Sequence, residues 1–386
     1  MMSLITKTAS WAQDEHRMFA DMVGRFYLDE MVPNSERWVD QGIVDRDFWN
    51  KAGAAGIMGG SIAEDYGGSG GDMGFDAVAL YEQTRKGDAS WGYGIQSIVA
   101  HYIANYGSDE QKQRWLPGLV TGDIVGAIAM TEPSTGSDLQ AVRTFAEKDG
   151  NHYKINGSKI FITNGQTADL IITVAKTDRE AKAKGVSLIV VEADKSEGFR
   201  RGRNLRKLGM KGNDTAELFY EDVRVPTANL LGTEEGQGFY QLMKQLPWER
   251  LLIGIQALGA IDFAIEETVK YVQERKAFGQ RVMDFQNTRF KLAECQTKAE
   301  VLRAFINDCI TRLIAGDLDA PTASMAKYFG SEVQGQVMDE CLQLHGGYGY
   351  MWEYPIARLY ADARVQRIYG GTNEIMKELI ARSMDT

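Results

Sequence analysis

The chain has 386 residues, 44% of them hydrophobic and 25% charged, the balance of a soluble protein too long for one ordinary core and suited to two or three packed units. Its 43 basic against 53 acidic residues give a formal charge of −10, which argues against nucleic acid as the main partner. Cys295, Cys309 and Cys341 show no Cys-x-x-Cys spacing and no adjacent histidine. A zinc site or disulfide framework is therefore not expected, and a reducing, cytoplasmic setting is. No apolar run approaches the roughly 20 residues that cross a bilayer, and the N-terminal stretch around Trp11, Asp14 and Glu15 has no signal or transit pattern.

From residue 11 to about 122 the hydrophobic period is helical, interrupted by glycines. Residues 48–57 read as a helix ending at glycine, 76–85 as one with Asp76 near its start, and 93–106 and 109–119 as two more. The glycine-rich loop at 67–74 has no strand before it and no Gly-Lys-Ser/Thr after it, so it reads as a plain turn rather than a phosphate cradle. Between residues 124 and 231 the period becomes strand-like. The runs 152–155, 159–163, 170–174, 186–191 and 217–220 are β-branched and aromatic, and Asp149-Gly150, Asn156-Gly157 and Asn164-Gly165 read as hairpin turns. The basic run 200–203, with Arg206, Lys207 and Lys211, reads as a solvated loop. After Gly236 the helical period returns, with Leu302, Phe305, Ile306, Cys309, Ile310 and Leu313 on one amphipathic element and Pro321 in the first turn of another that stops at Gly346. The expected fold is α+β and mostly α: a helical unit over 1–122, a small β-barrel or sandwich over 123–235 and a four-helix bundle over 236–386.

The C-terminal stretch carries two glycine pairs, Gly346-Gly347 and Gly370-Gly371, where bare backbone N–H groups can approach a flat or anionic ligand. The His-Gly-Gly-Tyr-Gly-Tyr run at 345–350, the Ala-Asp-Ala-Arg segment at 361–364 and the Ile-Tyr-Gly-Gly-Thr-Asn-Glu run at 368–374 together resemble the flavin-dependent acyl-CoA dehydrogenases, and most closely their long-chain branch. The resemblance extends over essentially the whole chain and implies FAD as cofactor.

Residues 128–138 form a Thr- and Ser-rich turn that offers hydroxyl and N–H donors, which the carbonyls of a flavin could use. The resemblance implies that Ile128, Met130, Thr131, Gly136 and Ser137 lie against the flavin, with Ser137 also touching acyl-CoA, and that Phe161, Ile162 and Thr163 pack on the flavin's other flank. Arginine suits a pyrophosphate because its planar fork donates two parallel hydrogen bonds. By resemblance Arg275, Phe278 and Gln286, together with Gln343, Leu344, His345, Gly346 and Gly347, reach the FAD of a neighbouring subunit. Thr372, Asn373 and Glu374 match contacts to the cofactor at a helix N-terminus.

Oxidising an acyl thioester between its α and β carbons requires a base for the α-proton on the side away from the hydride acceptor. Most of the family carries that glutamate at the position that is Gly370 here. The long-chain and isovaleryl branches place it at the start of the bundle, where this chain has Gln245-Leu-Pro-Trp-Glu-Arg, so Glu249 is the expected base. Desolvation in an apolar pocket should raise its pKa. A helix-start reading of Glu249, beside Arg250 and after Pro247, requires only a favourable dipole contact. Gly370 keeps the backbone amide that the family aims at the thioester carbonyl, and Tyr240, Pro247, Trp248, Arg250, Gly371 and Arg382 match substrate-contacting positions. What the resemblance implies is dehydrogenation of a saturated, medium- or long-chain acyl-CoA to the trans-2-enoyl-CoA in fatty-acid β-oxidation, with electrons passed to an electron-transfer flavoprotein by a dimer of dimers. A branched-chain or terpenoid acyl-CoA, an oxidase that passes electrons to oxygen, and a non-catalytic acyl-CoA-binding protein are the alternatives.

Overall fold

The computed structural model describes residues 3–6 and 9–385. Six helices come first: α1 (Asp14–Phe26), α2 (Ser35–Gln41), α3 (Arg46–Ala54), α4 (Met73–Arg85), α5 (Tyr93–Tyr106) and α6 (Asp109–Thr121). Helix α4 begins three residues before the expected start because Asp72, not Asp76, caps it by accepting a bond from the Gly74 N–H. Asp76 is buried instead, and binds one face of α5. It accepts from Tyr93 Oη (2.9 Å) and Ser97 Oγ (2.7 Å), and lies 3.5 Å from His101 Nε2. These three partners are four residues apart, so a single carboxylate sets the rotation of α5. The glycine loop is a turn, as expected. Its amides at Ser69, Gly70 and Gly71 already donate to the carbonyls of Gly59, Ile62 and Gly60.

Seven strands follow: β1 (Gly126–Ala129), β2 (Phe145–Asp149), β3 (His152–Thr163), β4 (Leu170–Lys176), β5 (Val186–Glu192), β6 (Phe199–Asn204) and β7 (Thr215–Pro226). They form one curled sheet in the order β1-β4-β2-β3-β7-β6, with β5 on the other edge of β4. Strand alternation splits the side chains between two cores. Leu170, Ile172 and Val174 of β4 join the large core shared with the helices, while Ile171 and Ala175 face a second core inside the sheet with Ile155, Val191 and Leu218.

Three expectations about this region are corrected. Asn156-Gly157 is a bulge inside the continuous strand β3, which shifts register against β7 there, and not a hairpin. Asn164-Gly165 is a turn, but it leads from β3 to β4, which are not ladder neighbours; the Asn164 amide is spent on the carbonyls of Gly92 and Gly126. The basic run is strand β6 rather than a loop, and Arg200, Arg201 and Arg203 are paired with Glu221, Asp194 and Glu217.

The chain ends in α7 (Gly238–Glu274), a two-residue hairpin of β8 (Lys276–Ala277) and β9 (Gln280–Arg281), α8 (Gln286–Ala315), α9 (Ala320–His345), α10 (Pro355–Ala363) and α11 (Asn373–Arg382). Helices α7, α8 and α9 pack on one another, and α4 lies along α7. Gly259 permits that approach, since a Cβ there would sit 2.6 Å from the Tyr81 carbonyl oxygen. Helix α7 runs through Pro247 without a break, so Glu249 lies three turns inside it and not in a first turn. The dipole reading of Glu249 fails on that placement, because a helix end acts only within its first turn.

Candidate active site

A cavity of about 230 Å³ opens where the sheet, α5, α7 and the segment after α10 meet, with Met130, Thr131, Phe161, Glu249, Ile253 and Gly370 among its walls. Glu249 is 7% exposed. Its Oε1 accepts a 2.8 Å hydrogen bond from the Tyr102 hydroxyl. Burial pushes its pKa up to about 7, while the Tyr102 bond and the neighbouring Arg250 charge pull the other way. A carboxylate poised near neutrality in a cavity wall is suited to take a proton. Tyr102 follows His101 on α5, so the Asp76 clamp that rotates this helix also delivers the tyrosine to Glu249.

Gly370 sits at φ +63°, and a Cβ there would lie 2.5 Å from Ile253 Cδ1. A glutamate at this position would hold a strained backbone and would push the tip of the Ile253 side chain aside. The loop it belongs to is pinned by the buried Lys327, whose Nζ donates to the Gly371 carbonyl (2.7 Å) and to Asn373 Oδ1 (2.9 Å). Asn373 also donates to Ser331 and Glu332, so its side chain is engaged within the protein. Thr372 caps α11, and the exposed Glu374 lies in its first turn, where the helix terminus and Thr372 lower its pKa.

On the sheet side Ile128, Met130, Thr131, Phe161, Ile162 and Thr163 all line the cavity. Phe161 is 64% exposed at φ +62°, an aromatic face held at the opening. Behind it, Lys159 donates to the Met130 carbonyl (3.0 Å) and to buried Glu132 (2.9 Å), which accepts the N–H groups of Arg143 and Thr144. Burial lowers the Lys159 pKa to about 8. Flat apolar surface beside threonine hydroxyls fits the isoalloxazine ring of a flavin. Gly136 and Ser137 are exposed on the turn beyond β1 and do not line the cavity.

Arg275 and residues 343–347 meet elsewhere, at a second hollow of about 530 Å³. There Tyr271 stacks on His345 at 4.3 Å, and the His345 Nδ1–H faces the Cys341 carbonyl (2.9 Å); burial lowers the His345 pKa. Phe278 projects from the β8–β9 hairpin at 96% exposure, and Gln286 starts α8 on the surface. Trp248 and Arg250 are buried, and Arg250 donates to Ser324 (3.2 Å). Pro247 is half-buried beside them, Gly371 is also half-buried at φ +89°, Tyr240 is exposed, and Arg382 pairs with Glu378 at the surface.

Sequence reasoning missed Tyr102, Lys159, Glu132 and Lys327. No motif announces them, since each acts through a partner 27 to 147 residues away.

Family models decide the lineage: those for the acyl-CoA dehydrogenase N-terminal, middle and C-terminal domains match residues 13–123, 127–223 and 236–384. The chain belongs to the acyl-CoA dehydrogenases. It is 52% identical to the mitochondrial long-chain specific acyl-CoA dehydrogenase of Sus scrofa over 96% of this chain and 86% of that protein. Among solved structures, the acyl-CoA dehydrogenase of Geobacillus kaustophilus superposes with TM-score 0.96 at 46% identity, covering 98% of this chain and 100% of that one. A glutaryl-CoA dehydrogenase of Mycobacterium smegmatis, solved with FADH2, superposes with TM-score 0.91 at 28% identity over 98% and 96% of the two chains. These acyl-CoA dehydrogenases are FAD-dependent oxidoreductases, and the aromatic and hydroxyl surface described above fits that group. Among the described residues no helix is long and apolar enough to cross a membrane.

Proposed function

We propose that this acyl-CoA dehydrogenase converts a saturated medium- or long-chain acyl-CoA to its trans-2-enoyl-CoA, with Glu249 as the base. The observation that carries the reading is a buried carboxylate of pKa about 7 lining the cavity that Gly370, Met130 and Phe161 also line. Glu249 takes the α-proton. The Gly370 N–H stabilises the charge that develops on the thioester oxygen. Bound FAD supplies the acceptor for the hydride that leaves the β-carbon. Met130, Thr131, Phe161, Ile162 and Thr163 hold the ring, and the apolar walls from Leu252 and Ile253 exclude water from the reacting carbons.

The same reading assigns electron-transfer flavoprotein as acceptor and a homo-oligomer, a dimer of dimers, in which Arg275, Phe278, Gln286 and residues 343–347 serve a neighbour's cofactor. The surface hollow beside the projecting Phe278 supports it. Three free, buried cysteines accord with a cytoplasmic setting.

Anaerobic titration of the purified protein with acyl-CoAs of increasing length, following oxidised-flavin absorbance, tests the reaction. Bleaching by saturated thioesters is expected. A flavin left oxidised by all of them would contradict it.

A further inference from the structure

The two groups assigned to the thioester stand on separate elements, Glu249 on α7 and the Gly370 amide on the turn between α10 and α11. Gly370 and Gly371 hold φ of +63° and +89°. Two consecutive glycines in the left-handed region give that turn little conformational preference of its own. Among the described residues the Gly370 N–H donates to no backbone carbonyl. The turn is therefore held from outside.

Helix α9 touches both elements. Towards α7, Ser324 Oγ accepts a 3.2 Å bond from Arg250, the residue after Glu249. Gly254 and Gly330 bring the two helices together backbone to backbone: a Cβ at Gly330 would lie 3.2 Å from Gly254 Cα, and one at Gly254 would lie 3.1 Å from the Ala326 carbonyl oxygen. Towards the turn, Lys327 Nζ donates to the Gly371 carbonyl (2.7 Å) and to Asn373 Oδ1 (2.9 Å), and Ser331 Oγ accepts from the Asn373 amide (3.0 Å). Ser324, Lys327 and Ser331 are spaced by three and four residues and so share one face of α9. Lys327 is fully buried, and both of its hydrogen-bond partners are neutral. Burying a lysine on neutral acceptors costs desolvation that an apolar side chain of the same length would avoid. Burial lowers its pKa to about 8, so at neutral pH it is still the charged donor, whose bonds are stronger than neutral ones.

We propose that Lys327 is a positioning residue for proton removal: its clamp on Gly371 and Asn373 holds the Gly370 amide in register with Glu249, with α9 as the common mount of both. The proposal rests on the roles given above to Glu249 and the Gly370 amide. Lys327 does not line the cavity and acts through the turn. Loosening the clamp lets the glycine pair drift, and a misplacement of about 1 Å is enough to cost about 10²-fold in rate.

The test uses 3-thiadecanoyl-CoA, in which sulfur replaces the β-carbon. Its α-proton can pass to the Glu249 carboxylate, but no hydride can leave, so the reaction stops at the enolate, whose contact with oxidised flavin is read as a long-wavelength band. At pH 8 and ligand saturation, Lys327→Met should shift this internal proton transfer towards the protonated thioester by at least about tenfold. Its kcat on decanoyl-CoA should fall about 10²-fold, while the Kd of the thia-ligand stays within about threefold. Lys327→Gln, a shorter and uncharged donor, should fall between, and Ser331→Ala, which leaves the clamp in place, should match the unmodified enzyme. A flavin-replete Lys327→Met with unmoved band and kcat would overturn the proposal alone. So would an equal effect of Ser331→Ala, or loss of flavin in both Lys327 variants, either of which makes the lysine a packing element. No band in the unmodified enzyme, or the same band after Glu249→Gln, would reject the role of Glu249 and the proposal with it.

Discussion

At the scale of single residues the site depends on keeping one carboxylate near neutrality. As the proposed base, Glu249 must be ionised to accept a proton, so kcat should rise with pH through about 7 and level off above it. The Tyr102 bond holds that pKa down. Tyr102→Phe should therefore move the rising limb of kcat to higher pH, by about one unit, with little change at pH 9; an unmoved limb would separate Tyr102 from the titration. The linkage to folding has the opposite sense. Glu249 titrates near 4.5 when unfolded and near 7 when folded, so its contribution to stability is present below 4.5 and is lost as pH rises towards 7. Glu249 was legible through its resemblance to a family motif and the glycine at position 370. Tyr102 was not, because nothing in a helical pattern marks which tyrosine faces a carboxylate 147 residues later.

At the scale of elements the helical frame hangs on a buried ion pair. Arg303 on α8 donates to Asp262 on α7 at 2.7 Å, with side chains 3% and 0% exposed, and Tyr81 on α4 donates to the same carboxylate. One aspartate thus ties three helices. Removing its charge leaves Arg303 uncompensated, so Asp262→Asn should lower the unfolding free energy by roughly 3–5 kcal/mol in a denaturant titration. A loss below about 1 kcal/mol would show that the three helices do not depend on it. The helices were readable because their hydrophobic period is helical and glycines stop several of them, as Gly122 does α6 and Gly346 does α9. The strands were read less well. Bulged β3 looked like two strands because Asn156-Gly157 has the composition of a turn, and arginine-rich β6 looked like a loop because its charges are satisfied only by β7 and its surroundings.

At the scale of the molecule, one chain does not enclose everything the family motifs specify. Met130, Phe161 and Glu249 share one cavity, while Arg275 and residues 343–347 lie in another, and Phe278 stands almost wholly exposed between flanking strands. If a second copy uses these groups, Phe278→Asp should lower both the oligomeric state in sedimentation velocity and the flavin content of the purified protein. A variant that stays fully assembled and flavin-replete would contradict that arrangement.

The central claim is that Glu249 removes the α-proton. Its most direct test is stopped-flow reduction of the flavin by a saturated acyl-CoA under anaerobic conditions, comparing the unmodified enzyme with flavin-replete Glu249→Gln. The account predicts that the variant binds the thioester but reduces its flavin about 10²–10⁴-fold more slowly. Reduction at the unmodified rate would contradict it.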